Sequence, residues 1–169
     1  MINIKNFIFF LFIVFTIIIG GCKKDDNNPI NDGLKTINVN GVTREFILYV
    51  PNTYDSTDTV PIMLNFHGWT MTAGEQMNLS DMRALAESEK FILVYPQGTK
   101  FKNRFYGSTH WNVGSWTKGS TSDDIGFVDK LIDYISYNYN IDLERIYACG
   151  YSNGGFFSHE LAYNLSNKI

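Results

Sequence analysis

Only two cysteines occur in 169 residues. One follows a Gly-Gly pair and the other sits inside an apolar run, so neither a disulfide framework nor a cysteine-based zinc site can be built from them. Basic charge is also scarce: 14 Lys and Arg stand against 17 Asp and Glu, a formal net charge of −3. That excludes a nucleic-acid binder working by counterion release, which needs Lys and Arg massed on one face. No apolar run is long enough for a permanent membrane span. The longest, Phe7 to Ile19, has thirteen residues with only Thr16 polar, and at 1.5 Å per residue it covers about 20 Å of a roughly 30 Å hydrocarbon core. Disorder is excluded in turn, because 15% of the residues are aromatic and β-branched residues recur throughout.

The short apolar run does have a meaning. Residues 1–6 carry the amino terminus and one Lys, and a charged start before a short apolar stretch reads as an export signal over residues 1–21. Ile19-Gly20-Gly21-Cys22 resembles the lipobox of bacterial lipoproteins. The resemblance implies that Cys22 carries acyl chains and anchors an exported chain to the outer membrane or cell surface. Residues 22–35, with Lys23-Lys24-Asp25-Asp26-Asn27-Asn28-Pro29, read as a polar tether. The same tract resembles one that directs some lipoproteins to the cell exterior, and both readings of it stand. Removing residues 1–21 leaves 148 residues with 13 basic and 17 acidic side chains, net −4.

From Thr36 onward the pattern is that of an α/β domain, residues 36–169. Asn40-Gly41 between Thr36–Val39 and Thr43–Val50 is a hairpin signal. Val60–Phe66 and Phe91–Tyr95 are nearly continuous apolar runs, as parallel strands covered on both faces require. One helix is expected over 75–90 and another from Ser122 to about Asn138, capped by Ser122 or Asp123. Ile146–Cys149 reads as a short buried strand before a last helix over about 153–165. Strands alternating with helices imply a mostly parallel sheet. The loop of about 25 residues between Gln97 and Ser122 holds Tyr106, Trp111 and Trp116, expected to form an ordered pocket wall.

Gly150-Tyr151-Ser152-Asn153-Gly154-Gly155 lies between that strand and that helix, which is the setting of a G-x-S-x-G nucleophile elbow. Ser152 must occupy a tight, strained turn, so Gly150 and Gly154 must be small. The competing reading is a Gly-rich turn in which Ser152 only caps the helix. In the elbow, the Asn153 amide at the helix start is placed to stabilise an oxyanion. His67-Gly68 ends the strand Val60–Phe66 on the same carboxyl edge, so the amide of Gly68 or Trp69 is the natural second donor, with His67 a neighbour of the pocket. The plainer account of His67 is a turn residue stacked on Trp69.

Taken in order, Arg44 to Pro51, Asn65-Phe66-His67-Gly68, Phe91 to Gly98, Trp111-Asn112, Asp123 to Phe127, Arg145-Ile146-Tyr147 and the elbow resemble the secreted polyhydroxybutyrate depolymerase and feruloyl esterase family of α/β-hydrolases. The resemblance covers about residues 36–169. It implies a three-layer sandwich and a serine esterase in which Ser152 attacks an ester carbonyl, with no cofactor and no metal. The family's triad runs Ser, then Asp or Glu, then His. Only 17 residues follow Ser152, and His159 lies seven residues along the same helix, about 10 Å away. His110 is expected to be a pocket or surface residue, Asp123 and Asp124 helix-capping residues, and Cys149 a small core residue. The fold is therefore expected to be truncated at its carboxyl end and the chain inactive by itself. Two other readings stay open: a non-catalytic surface lipoprotein binding carbohydrate or polymer through Tyr106, Trp111 and Trp116, and a prolyl-oligopeptidase-type peptidase.

Overall fold

The computed structural model describes residues 33–101 and 108–169; the signal segment, Cys22 and Tyr106 lie outside the described residues. Two strands, β1 (Gly33–Val39) and β2 (Val42–Tyr49), form an antiparallel hairpin with Val39 opposite Val42. Asn40 and Gly41 have φ of 50° and 83°, the left-handed pair that a two-residue hairpin turn matching strand twist demands. The tether ends earlier than expected, because Gly33–Lys35 already pair with Leu48, Ile47 and Phe46.

In chain order follow β3 (Val60–Phe66), α1 (Ala73–Leu79), α2 (Arg83–Glu89), β4 (Ile92–Pro96), β5 (Thr99–Lys100), β6 (Thr109–His110), α3 (Asp124–Asn138), β7 (Ile141–Gly150) and α4 (Asn153–Asn164). The helix expected over 75–90 is two helices. The Thr72 side chain and Glu75 form a reciprocal capping box that starts α1. The chain then breaks because Ser80–Met82 is recruited elsewhere: the Tyr95 hydroxyl donates to the Ser80 carbonyl at 2.7 Å and Asp81 accepts the Arg83 amide at 3.1 Å.

The main sheet has the order β1-β2-β4-β3-β7. Its pairings are antiparallel at β1/β2 and β2/β4 and parallel at β4/β3 and β3/β7, so β2 alone opposes the other four strands. Alternation along the strands sorts side chains to two faces. Phe46, Leu48, Ile62, Leu64, Phe66 and Val94 meet α3 and α4 in one core. Leu93 and Tyr95 meet α1 and α2 in a second. This is the three-layer α/β-hydrolase sandwich. Each fully buried Leu- or Phe-sized side chain contributes about 1.5–3 kcal/mol. Trp111, expected in a pocket wall, belongs to the larger core: it is fully buried, stacked on Phe157 at 5.0 Å and edge-on to Phe66 at 5.1 Å.

Candidate active site

Phe66 stands opposite Gly150 in the β3–β7 register, so the turns that follow these strands leave the sheet side by side at its carboxyl edge. The Tyr151 amide donates to the Phe66 carbonyl at 3.0 Å and the Gly154 amide to the Tyr151 carbonyl at 2.9 Å. Between them Ser152 is held at φ 50°, ψ −114°. For a residue with a Cβ, such a conformation costs on the order of 1–3 kcal/mol and persists only where its surroundings impose it. Ser152 occupies the N-cap position of α4, yet its side chain makes no capping hydrogen bond and is exposed. The capping account of this serine therefore fails.

The surroundings that impose the turn are two glycines. A Cβ on Gly150 would lie 2.6 Å from the Gly154 carbonyl carbon and 2.8 Å from the Phe66 oxygen. A Cβ on Gly154 would overlap the Phe66 carbonyl oxygen and lie 2.6 Å from that of His67. Strand and helix thus touch backbone to backbone, which only glycine permits.

The amides expected as oxyanion donors are those of Asn153 and of Gly68 or Trp69. Asn153 opens α4, whose first amides lack intrahelical partners and whose positive dipole end lies there. Gly68 packs on the elbow: a Cβ on it would lie 2.8 Å from Cδ1 of Tyr151. The turn after it is pinned, since Met71 donates to the Gly68 carbonyl at 3.2 Å and Thr70 to Thr109 at 2.9 Å. Trp69 in this turn packs its ring on Phe101 and His110. Beside the elbow a cavity of about 340 Å³ is bordered by Leu79, Cys149, Gly150 and Tyr151.

His67 does not face the pocket. It is fully buried, its Nδ1 donates to the Gly68 carbonyl at 2.8 Å, and its Nε2 accepts the Gly98 amide at 2.9 Å. Burial, partly opposed by the bond to Gly68, pushes its pKa below the ordinary imidazole value, so the ring is neutral. It leans on Trp111 at 4.9 Å rather than on Trp69. Trp111 completes a bridge between the two turns. Its Nε1 donates to the His67 carbonyl at 3.0 Å, its amide donates to Oδ1 of Asn153 at 2.8 Å, and Nδ2 of Asn153 donates back to its carbonyl at 3.2 Å.

Asp123 caps α3 as expected, accepting the Gly126 amide at 2.9 Å. Asp124 does something else: fully buried, it pairs with Arg44 at 2.7 Å and accepts the Asn112 amide and the Ser122 hydroxyl, each at 2.8 Å. Arg44 lies 4.0 Å over the Phe127 ring. This network spans 80 residues and holds the loop that carries Trp111. His110 is buried as well, with Nε2 at 2.7 Å from the Ser120 hydroxyl and Nδ1 at 3.0 Å from the Thr99 carbonyl; burial lowers its pKa. His159 is exposed along α4. The sequence has three histidines, and two are committed to hydrogen bonds elsewhere while the third points away down the helix. Cys149 is half-buried rather than in the core, and burial raises its thiol pKa, which keeps it protonated. Trp116, expected in the pocket wall, is 78% exposed, and its stacking on Phe156 at 5.6 Å with an interplanar angle of 15° is a partnership with no signal in the sequence.

No family model matches the chain. A bifunctional acetylxylan esterase/xylanase of Neocallimastix patriciarum is 30% identical over 139 residues, covering 80% of this chain and 19% of that protein. A feruloyl esterase B of Neurospora crassa is 32% identical over 115 residues, 68% of this chain and 37% of the relative. The chain therefore spans well under half the length of these curated relatives. Among solved structures, an acetyl xylan esterase from Aspergillus awamori matches with TM-score 0.55 at 22% identity, over 72% of this chain and 43% of that one. An S-formylglutathione hydrolase from Agrobacterium tumefaciens matches with TM-score 0.64 at 16% identity, over 84% and 57%.

Proposed function

We propose, for a chain that is a homologue of the feruloyl and acetylxylan esterases and has the α/β-hydrolase fold, that it carries the nucleophile and oxyanion donors of a serine esterase acting on acetyl- or feruloyl-type carboxylic esters. The observation that carries this reading is the backbone of Ser152. A serine at φ 50° whose hydroxyl is exposed and caps nothing costs stability and is accounted for by chemistry at that hydroxyl. In the proposed reaction Ser152 Oγ attacks the ester carbonyl. The Asn153 amide and that of Gly68 or Trp69 receive the charge that develops on the carbonyl oxygen, the alcohol leaves, and water later releases the acid. The step needs a histidine base, and none of the three histidines here stands in that role, so turnover requires a base supplied from elsewhere.

The Ile19-Gly20-Gly21-Cys22 pattern supports lipid attachment at Cys22 and export as part of the same proposal. Carbohydrate binding without catalysis loses Trp111 from its aromatic set, because that ring is buried in the core. A fluorophosphonate probe, with imidazole added as the external base, tests the nucleophile. We expect adduct mass on Ser152 that Ser152→Ala abolishes; an adduct mapped to another residue, or none even when a full-length relative is labelled in parallel, refutes the role.

A further inference from the structure

We propose that the cavity of about 340 Å³ between α1 and β7 is a binding site for a small, neutral, mostly apolar molecule that brings one hydrogen-bond donor to Gln76 Oε1. The register of the sheet builds its floor. Asn65 on β3 stands opposite Cys149 on β7, so both side chains leave the sheet on one face, and α1 sets Gln76 and Leu79 beside them. In the sheet order β7 is an edge strand, which places the cavity at the sheet's rim. Ser152 does not border it, and the site stands whether or not the chemistry proposed for that serine holds.

The observation that points to a ligand is an orphaned acceptor. Gln76 is 2% exposed, and its Oε1 is the one buried side-chain polar atom without a hydrogen-bond partner among the described residues. Its Nε2 donates to Asn65 Oδ1 at 2.8 Å. Asn65 Nδ2 donates in turn to the Ser80 hydroxyl at 3.2 Å and lies 3.5 Å from the Ser80 carbonyl. Turning the Gln76 amide over would set its oxygen against that of Asn65, and turning Asn65 over as well would set an oxygen against the Ser80 carbonyl. The chain of amides therefore runs in one direction and ends on an acceptor. A buried acceptor left unpaired is costly, so a molecule that supplies an N–H or O–H is held by the relief of that cost.

The rest of the wall selects the body of that molecule. No charged side chain borders the cavity, so an ionic ligand would lose its hydration without meeting a counter-charge. Leu79, Cys149 and Tyr151 add mostly apolar surface. Burial raises the Cys149 thiol pKa, so this residue contributes a neutral S–H rather than an anion. A few placed polar groups in an otherwise apolar wall are the pattern of small-molecule pockets. A lone water, which needs about two to four polar partners, gains nothing from these walls, whereas an apolar body with one donor uses both wall and acceptor. A molecule seated there touches Gly150 and Tyr151, the two residues that lead into the elbow.

The test uses the full chain and two probes of the same two-ring shape: indole, which has one N–H, and indene, which has a methylene in its place. Alkylation of Cys149 by iodoacetamide, mapped by peptide mass, reads occupancy at the cavity itself. We expect indole to slow that alkylation saturably, with half-protection at a concentration roughly three- to tenfold below that of indene, the scale of one hydrogen bond. Gln76→Met keeps the length of the side chain without its amide and should bring the two probes together. Protection by neither probe, equal protection by both, or a preference for indole that survives Gln76→Met overturns the proposal. The wild-type comparison needs no variant, so it decides the matter even where Gln76→Met does not fold.

Discussion

Replacing Gly154 by alanine adds one methyl group at the tightest backbone approach among the described glycines. The new carbon would overlap the Phe66 carbonyl oxygen and approach the His67 oxygen and Phe66 carbonyl carbon to 2.6 Å each. None of these atoms is the flexible end of a side chain, so either α4 or the end of β3 must move. Overpacking of this kind costs typically about 1–3 kcal/mol, and with backbone on both sides we expect about 3 kcal/mol. The same shift separates the His67-Gly68 turn from the Ser152-Asn153 turn. A displacement near 1 Å at reacting groups costs on the order of 100-fold in rate, so labelling of Ser152 should slow by roughly that factor. Gly74→Ala is the matched control. Nothing lies within 4 Å of its Cβ position, it falls inside α1, and alanine there should stabilise by about 0.5–1 kcal/mol. Urea midpoints and fluorophosphonate labelling rates of the two variants check this. If Gly154→Ala melts within about 0.5 kcal/mol of wild type and labels as fast, the backbone-contact account of the elbow is wrong.

Two further outcomes follow from the buried polar groups. Arg44→Met keeps volume but leaves the Asp124 carboxylate buried without its guanidinium, and losing one partner of a buried pair costs about 3–5 kcal/mol; a urea titration reading below 1 kcal/mol would contradict the role given to that pair. His67 and His110 both have pKa values lowered by burial. Below about pH 6.5 the unfolded chain therefore takes up protons that the folded one refuses, so their contribution is present above that pH and is lost as pH falls. Stability should drop by up to about 1.4 kcal/mol per pH unit for each histidine, and His110→Gln should flatten the slope measured between pH 7.5 and 5; an unchanged slope would refute this.

The elbow was legible because its cause is local. A glycine two residues before and two after a serine, with an apolar run on one side and a helix on the other, is a steric requirement written in adjacent positions. The Asn40-Gly41 turn, the buried parallel strands and the Asp123 cap share that property. The capping box of Thr72 and Glu75, three residues apart, is equally local, yet it does not figure in the expectation of one helix over 75–90.

Short-range constraints are thus written in neighbouring residues: strand and helix periods, turn chemistry, and a serine that only a tight turn could hold. How distant groups meet is set by the packing of the layers. That packing put Asp124 on Arg44 across 80 residues, buried Trp111 as a bridge between two turns, turned His67 inward and laid Trp116 on Phe156. Such partners are chosen by shape, burial and unpaired polar groups after the layers close, and none of those quantities exists along a one-dimensional chain.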